Sequence, residues 1–358
     1  MPRIFALLMV SLFASAGQGV EIVVVEPKSA AKNGFPPTVH GEILVEARDG
    51  GVMLQGDDGR IWTFQPEQIQ QRSNDGIPLA PIDESEISRR LLKELPSGFQ
   101  IHRTSNYVIA HNTNGQYVRQ VGTLFEQLNR GFFTFWKNQK WKLERPRFPL
   151  VGLVFANRRD FLEYAQPDIG DMAKSVIGYY HLESNRMVTF RVPNLERNVA
   201  TVIHEATHQI AYNCGLQQRF ADNPMWVSEG LATFFEAPDF TNPRGWRNIG
   251  RVNEVNLGRW RRYMRSRPQN SLTTLIADDK RFRGSAATET AYAECWALTY
   301  FLLKTRRDEY VGYLQELSEG KPLVALSGKE RVAMFERIFG STIEQIDQEL
   351  VRFIGRIQ

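Results

Sequence analysis

The chain of 358 residues is 42% hydrophobic and 23% charged, an ordinary globular composition with enough apolar residues for a sizeable core. The charges that sum to a formal net +4 are spread along the chain, and the most basic run, RWRRYMRSR at 259–267, lacks the interleaved aromatic and glycine residues typical of nucleic-acid-binding segments. We therefore predict a solvated helix face there and no nucleic-acid partner. Two cysteines are too few for a disulfide framework.

Residues 1–16 have the features of an export signal. They contain one arginine, an apolar stretch and the small-residue ending Ala-Ser-Ala. This pattern predicts a cleaved signal peptide, since the apolar stretch is too short for a comfortable membrane span. We expect a mature protein that is secreted or periplasmic, with no integral membrane segment. In such a compartment Cys214 and Cys295 either form a disulfide or remain two separate buried thiols, and both alternatives stay open.

Residues 20–70 predict a small antiparallel β module. A strand-like run at 21–26 is followed by short apolar runs at 41–47, 51–55 and 60–64, and Asp-Gly turns separate these last three. Such turns between alternating runs are typical of hairpins, and their number favours a small barrel with an SH3-like fold. Residues 71–98 follow as a linker in which a short amphipathic helix begins near Asp83. The module either packs on the rest of the chain or binds an unknown partner.

The pattern changes at residue 99, where a larger domain is predicted to begin and to continue to residue 358. The predicted order is strand, helix, strand, helix and a pair of strands, at 106–111, 116–137, 149–156, 157–165, 176–182 and 186–192. Mostly helical segments follow to the end of the chain. This order predicts the α+β fold class, with a sheet in the first half of the domain and helices in the second.

The sequence HEATH contains His204 and His208, which lie four residues apart on a predicted helix. We expect the helix to begin at Asn194 as the cap and to end near Asn213. Because both imidazoles project from one face, one turn apart, they can reach one metal ion at about 2.0–2.1 Å. Glu205 lies beside the first histidine and can face the open side of the metal. The alternative is two ordinary helix histidines, one buried and one solvated.

A second predicted helix covers residues 223–237, with Asn223 as its cap and Pro238 as its stop. Glu229 lies on this helix among large apolar side chains. A carboxylate in such surroundings must be paired or bound to a metal, because burying an isolated charge is costly. Glu229 is therefore the predicted third ligand of a site that keeps an open coordination position.

Other residues compete for the same role. Glu236 lies two turns beyond Glu229 but near the helix end, where we expect it to be solvated, and Asp222 suits the start of the helix better. The remaining histidines considered have no partner at ligand spacing and are predicted to be structural: His40, His102 and His111.

HEATH followed by WVSEGLATFFE resembles the gluzincin metallopeptidases, in which two histidines and a glutamate bind zinc. More broadly, residues 99–355 resemble exported peptidase-MA-like proteins that are grouped under a domain of unknown function. The shared landmarks are SNYVIAHN, LVFANRRDFLEYA, GYY and AYAECWALTYFLL. The resemblance implies Zn²⁺ on His204, His208 and Glu229, and a mixed sheet over the zinc helix. In many gluzincins an acidic residue one turn after the glutamate ligand contacts a zinc histidine, and here that position is Thr233.

These features predict an exported zinc metallopeptidase whose substrate is a peptide or protein. Glu205 is the predicted general base for a zinc-bound water. Relatives of this type often supply a tyrosine or histidine from the C-terminal helices as oxyanion donor, so Tyr292 is predicted in that role. The alternatives are Tyr179, Tyr180 and His181 in the GYYH segment, which in a gluzincin-like arrangement forms an edge strand that binds the substrate backbone.

Two further hypotheses share these residues. The first is a binding or scaffold protein that keeps the metal site but has little or no catalytic activity. Glu205 argues against it, because a purely structural metal site does not need a base. The second is a metal-dependent hydrolase that acts on a non-peptide amide.

Overall fold

The computed structural model describes residues 19–192, 195–237, 249–283 and 285–357. The predicted signal peptide lies outside the described residues. The α+β fold class is confirmed: an N-terminal antiparallel sheet is followed by a mixed sheet and a largely helical C-terminal half.

The N-terminal sheet has five strands in the order β4-β3-β2-β1-β5, and neighbouring strands are antiparallel. Its elements are β1 (Glu21–Val25), α1 (Pro27–Asn33), β2 (Thr38–Glu46), β3 (Val52–Gly56), β4 (Ile61–Phe64) and β5 (Ile69–Asn74). The four predicted strands are present, whereas α1 and β5 were not predicted. β5 extends the sheet past the predicted boundary at residue 70, and its polar sequence pairs along β1 without contributing an apolar face.

The second sheet is mixed, with the strand order β6-β7-β8-β10-β9. Its segment contains α2 (Glu84–Glu94), β6 (Gln100–Arg103), β7 (Tyr107–His111), α3 (Gly115–Asn138), β8 (Leu150–Phe155), α4 (Arg158–Ile169), β9 (Gly178–His181) and β10 (Arg186–Phe190). β7, β8 and β10 are parallel, while β6 and β9 are antiparallel to their neighbours. The predicted GYYH strand is therefore β9, an edge strand.

The helical half consists of α5 (Leu195–Asn213), α6 (Met225–Phe235), α7 (Glu254–Tyr263), α8 (Ser271–Ala277), α9 (Ser285–Thr305), α10 (Arg307–Ser318), α11 (Gly328–Phe339) and α12 (Ile343–Ile354). α5 ends at Asn213 as predicted, and Gly215 follows it with a left-handed φ of 78°. None of the helices in the described part of the chain combines the length and apolar character that a bilayer span needs.

The start of α6 differs from the prediction. The helix begins at Met225, so Asn223 is not its cap. The Met225 backbone N–H donates instead to Asp279 Oδ1 at 2.9 Å, a partner 54 residues away in sequence. The Asn223 amide donates to the carbonyls of Gln218 and Ala221, within the preceding loop. The predicted cap Asn194 and the predicted stop Pro238 lie outside the described residues.

The basic run at 259–267 is not simply a solvated helix face. Helix α7 ends at Tyr263, and the side chain of Arg267 beyond it is only 5% exposed, with Nε donating to Glu294 Oε1 at 2.9 Å. Glu294 is fully buried and also accepts from Arg281 Nη1 at 2.6 Å. Two guanidinium groups thus neutralise one buried carboxylate, which ties α9 to the segments around α8.

Helices α6 and α9 approach each other closely at Gly230. A Cβ atom at this position would lie 2.1 Å from Thr299 Oγ1 and 2.9 Å from the Cys295 carbonyl oxygen. Because Gly230 follows Glu229 directly, its close contact with α9 fixes the depth at which the Glu229 side chain lies.

The two cysteines, Cys214 and Cys295, are buried free thiols, so the alternative of two separate thiols holds in place of the disulfide.

Substituting Gly230 with alanine should destabilise the fold. The added methyl group overlaps Thr299 and should cost about 1–3 kcal/mol in the free energy of unfolding. Gly312→Ala is the matched control, since Gly312 is inside α10 and no atom lies within 4 Å of its Cβ position. That change should stabilise the protein by about 0.5–1 kcal/mol. Denaturant unfolding that gave both variants the same sign would contradict the packing at Gly230.

Candidate metal centre

The two histidines of HEATH project together from α5. Their Nε2 atoms are 3.2 Å apart, and the rings are nearly perpendicular at 76°. The side chains are 13% and 11% exposed, so both imidazoles are largely removed from solvent. The helix holds them there because its opposite face, which includes Val202, Ile203 and Ile210, is buried in the main core.

Glu229 on α6 completes the group. Its Oε2 lies 3.1 Å from His204 Nε2, and its Oε1 lies 3.7 Å from His208 Nε2. The residue is 9% exposed; burial alone would raise the pKa of Glu229, but His208 and His204 outweigh it and lower that pKa. The three side chains offer ligand atoms within 4.8 Å of one another and could hold a metal ion.

The spacing of these atoms fits one small cation. Tetrahedral coordination with bonds of about 2.0–2.1 Å places two ligand atoms about 3.3 Å apart. The observed separations of 3.1 Å and 3.2 Å are close to that value. Two imidazole nitrogens that face each other at this distance need a proton or a metal between them, so the donor set suits a metal that prefers nitrogen and carboxylate ligands.

Glu236 has a different role from the predicted one. Its Oε2 lies 2.7 Å from His204 Nδ1, so it contacts a candidate ligand and is not simply solvated. Its Oε1 accepts a hydrogen bond from Asn253 Nδ2 at 3.0 Å. A carboxylate on Nδ1 fixes the ring orientation and leaves Nε2 free to bind metal. Thr233, the residue that the resemblance indicated for this contact, donates to the Glu229 carbonyl oxygen at 2.7 Å instead.

The signal for Glu236 was present in the sequence. A residue seven positions after Glu229 lies on the same helix face, two turns on, and can therefore reach the same histidine pair. No comparable sequence signal points to Asn253, which comes from a separate segment before α7.

Glu205 lies at the same site, although it is not part of the metal-binding group. Its Oε2 accepts a hydrogen bond from the backbone N–H of Tyr180 at 2.9 Å, which connects α5 to the edge strand β9. Burial raises the pKa of Glu205, and the neighbouring histidines only partly offset that effect. A carboxyl group with a raised pKa is suited to accept and return a proton.

Tyr292 on α9 is brought to the cluster. Its ring centroid lies 6.3 Å from that of His204. Burial, followed by the charge of Glu229 and a hydrogen bond to it, raises the pKa of Tyr292, so its hydroxyl stays protonated and can donate. The structure therefore places Tyr292 next to the candidate ligands, and its role as an oxyanion donor stays a prediction.

The three alternatives to Tyr292 have other partners. Tyr179 donates to Asp168 Oδ2 at 2.7 Å, and Tyr180 donates to Asn185 Oδ1 at 2.7 Å. His181 Nδ1 lies 3.0 Å from Ser184 Oγ and 3.9 Å from Asp168 Oδ2. The side chains of Tyr179, Tyr180 and His181 are thus each engaged by neighbours within or beside the β9–β10 hairpin.

The other candidates are structural in the described residues. The two Asp222 oxygens accept from Arg331, with Oδ2 3.0 Å from Nε, so the Asp222 carboxylate is paired with a guanidinium group. His40 is exposed on β2, and His111 Nδ1 lies 3.1 Å from the Thr113 carbonyl oxygen. Within the described ranges, one group of three or more potential ligand side chains is found, that of His204, His208 and Glu229.

Comparison with known proteins gives one family match. A model described as "Protein of unknown function (DUF1570)" matches residues 198–324, less than half of the chain. This region contains all of the candidate site except the contact from β9. The comparison with curated proteins gives no match.

We expect Glu236→Ala to weaken metal binding. Removing the carboxylate on Nδ1 leaves His204 without its orienting partner, which should reduce metal affinity by about 10–100-fold. Thr233→Val is the matched control, since among the described contacts the Thr233 hydroxyl bonds only to backbone carbonyls of its own helix, and the substitution keeps the Thr233 carbonyl that accepts from Asn253. Competition with a chelator measures both affinities. A larger loss for Thr233→Val than for Glu236→Ala would contradict this assignment.

Metal binding should release a proton, and affinity should rise with pH. Burial alone would lower the pKa of His204, but hydrogen bonds to Glu229 and Glu236 hold it well above the usual 6.5. His204 is therefore protonated at neutral pH before metal binds. As pH rises from about 6 towards the raised pKa, the free-energy cost of removing the proton from His204 falls, and metal affinity should increase by up to about tenfold per pH unit. Calorimetry in buffers of different ionisation enthalpy counts the protons; an affinity independent of pH would contradict this prediction.

Proposed function

We propose that this protein is a zinc-dependent peptidase. The observation that carries the proposal is the meeting of His204, His208 and Glu229 with a partly buried Glu205 beside them, whose pKa is raised. Two imidazoles and one carboxylate form a ligand set that leaves a coordination position open in zinc hydrolases. A purely structural zinc site typically has four protein ligands and has no need of a further carboxyl group at its side.

The proposed chemistry assigns a role to each residue. His204, His208 and Glu229 would hold the zinc ion, which when bound would polarise a peptide carbonyl and acidify the attacking water. The Glu205 carboxylate would accept the proton of that water and later deliver it to the leaving amine. The raised pKa of Glu205 supports both steps, because a more basic carboxylate takes up the water proton more readily and keeps it until the amine leaves.

Substrate would lie between β9 and α9 in this proposal. Edge strands present unpaired backbone groups to which an extended peptide can add as a further strand. The Tyr292 hydroxyl would donate to the oxygen that becomes negatively charged during attack. The position of Tyr292 next to His204 and Glu229 supports this role.

Two further parts of the proposal rest on sequence. The resemblance to gluzincin metallopeptidases supports zinc as the metal and a peptide or protein as the substrate. The signal-peptide pattern of residues 1–16 supports a secreted or periplasmic location. The alternative of a scaffold protein with a retained metal would use the same three ligands and would leave Glu205 without a chemical role.

Glu205→Gln tests the proposal. The amide keeps the size and the hydrogen-bonding capacity of the side chain but cannot take up a proton. We expect kcat/KM on a peptide library to fall by about 10²–10⁴-fold while zinc stays bound. Glu163→Gln is the matched control, because Glu163 is exposed on α4.

Zinc content must be measured in the same preparations. Equal cleavage by wild type and Glu205→Gln would rule out Glu205 as the base. Zinc-loaded wild type that cleaves no peptide in the library would favour the scaffold alternative.

A further inference from the structure

The turn Leu182–Asn185, which joins β9 to β10, is held by three separate parts of the molecule. Hairpin turns at sheet edges normally face solvent and need few partners. Here the backbone carbonyls of Leu182, Glu183 and Asn185 each accept a hydrogen bond from a different element. A turn with this many fixed partners is held more firmly than its own strand pairing requires.

The first partner is the metal-binding helix α5. Gln209, which is fully buried, donates from Nε2 to the Asn185 carbonyl oxygen at 2.9 Å. The Asn185 and Asn213 side chains exchange two hydrogen bonds of 2.9 Å and 2.7 Å. Asn185 has a left-handed φ of 60°, which asparagine tolerates better than most residues. The turn is therefore joined to the helix that carries His204 and His208.

The second partner is the loop between α5 and α6. Arg219 in this loop is 5% exposed and donates from Nη1 to the Leu182 carbonyl oxygen at 3.1 Å. The next residue, Phe220, has a left-handed φ of 62° and packs against a cluster of the N-terminal sheet that contains Val45, Met53 and Ile61. The loop that connects the two metal-binding helices thus reaches both the turn and the N-terminal sheet.

The third partner is the N-terminal sheet itself. The Ile61 backbone N–H donates to the Glu183 carbonyl oxygen at 2.7 Å. Gly59 has a φ of 79°, and a Cβ there would lie 2.9 Å from the Phe148 ring and 3.1 Å from Asn185 Nδ2. Only a residue without a side chain lets the β3–β4 turn approach so closely.

The position of this turn matters to the site because β9 is short. Tyr180 lies two residues before Leu182, and its N–H donates to Glu205. The Tyr180 ring also stacks on Tyr212 of α5, with centroids 5.7 Å apart, and its hydroxyl donates to Asn185. Any shift of the turn therefore moves the strand relative to the carboxylate.

We propose that the N-terminal sheet acts as a clamp, meaning that its contacts with the Leu182–Asn185 turn fix the position of the β9 edge strand. In this proposal Asn185 and Arg219 are positioning residues that connect the sheet to the part of β9 next to Glu205. The catalytic consequence rests on the proposed peptidase function; the mechanical role does not. In this account the N-terminal sheet is part of the peptide-binding machinery, and its interface with the hairpin needs no external partner. Loss of either positioning residue should weaken peptide binding more than the chemical step.

Three substitutions remove the clamp at different points. Arg219→Met keeps the length of the side chain and removes the guanidinium group. Asn185→Gly keeps the left-handed backbone accessible and removes the side-chain bonds. Gly59→Ala pushes the β3–β4 turn away from Asn185. Arg89→Gln is the control, because the exposed Arg89 forms its ion pair with Glu86, inside α2 and away from the β3–β4 turn.

The first readout is hydrogen exchange of the segment 177–186 in the full-length, zinc-loaded protein. We expect the three clamp variants to exchange about tenfold faster there than wild type, while Arg89→Gln does not. Zinc affinity should change less than about threefold in Arg219→Met, since none of the ligands is touched. The second readout is steady-state cleavage, for which KM should rise about tenfold with kcat changed less than about threefold.

The outcomes separate the clamp from the peptidase proposal. Unchanged exchange at 177–186 in all foldable clamp variants would overturn the clamp, as would equal acceleration in Arg89→Gln. Faster exchange with an unchanged KM would overturn the positioning role. If the clamp variants exchange faster than wild type but the wild-type protein cleaves no peptide, the clamp is upheld and the peptidase proposal is contradicted. If Asn185→Gly does not fold, Arg219→Met gives the same decision.

Discussion

A carboxylate that is buried among apolar side chains must have positive partners, and the structure around the candidate site depends on how this requirement is met for Glu229. Glu229 is surrounded on α6 by residues of the main core, including Trp226, Val227 and Leu231. Two imidazoles from α5 face it, and a metal ion between the three groups would remove the remaining electrostatic cost. Helices α5 and α6 therefore cannot be repacked independently of the site they form.

The surrounding polar residues extend this constraint outwards. Glu236 and Asn253 hold His204 on one side, and Glu205 connects α5 to the edge strand on the other. The close contact at Gly230 sets the distance from α6 to α9, the helix that carries Tyr292. The buried Glu294 network then fixes α9 to α8 and its neighbours. Contacts from β9, from α9 and from the segment before α7 thus support the two helices that carry the candidate ligands.

Local patterns in the sequence predicted the parts of the fold that depend on local rules. The four-residue spacing in HEATH put both imidazoles on one helix face, and the apolar surroundings of Glu229 identified it as a partner. The apolar run at 21–26 and the Asp-Gly turns between the next three runs predicted four of the five N-terminal strands. β5 was missed because its polar residues carry no alternating pattern, and its place depends on pairing with β1.

The predicted cap of α6 was wrong because Asp279, a residue distant in sequence, accepts the hydrogen bond at the helix start in place of Asn223. Glu236 was assigned to solvent because helix ends are usually exposed, whereas the fold covers this one.

The proposed chemistry depends on the binding of one metal ion by His204, His208 and Glu229, with no sulfur ligand. X-ray absorption of the zinc-loaded protein, combined with metal analysis of wild type and His208→Ala, tests it most directly. We expect about one zinc per chain, with two imidazole ligands and only nitrogen or oxygen in the coordination sphere, and a loss of zinc in His208→Ala. A protein that takes up no zinc, a sulfur ligand in the spectrum, or zinc retained undiminished in His208→Ala would contradict it.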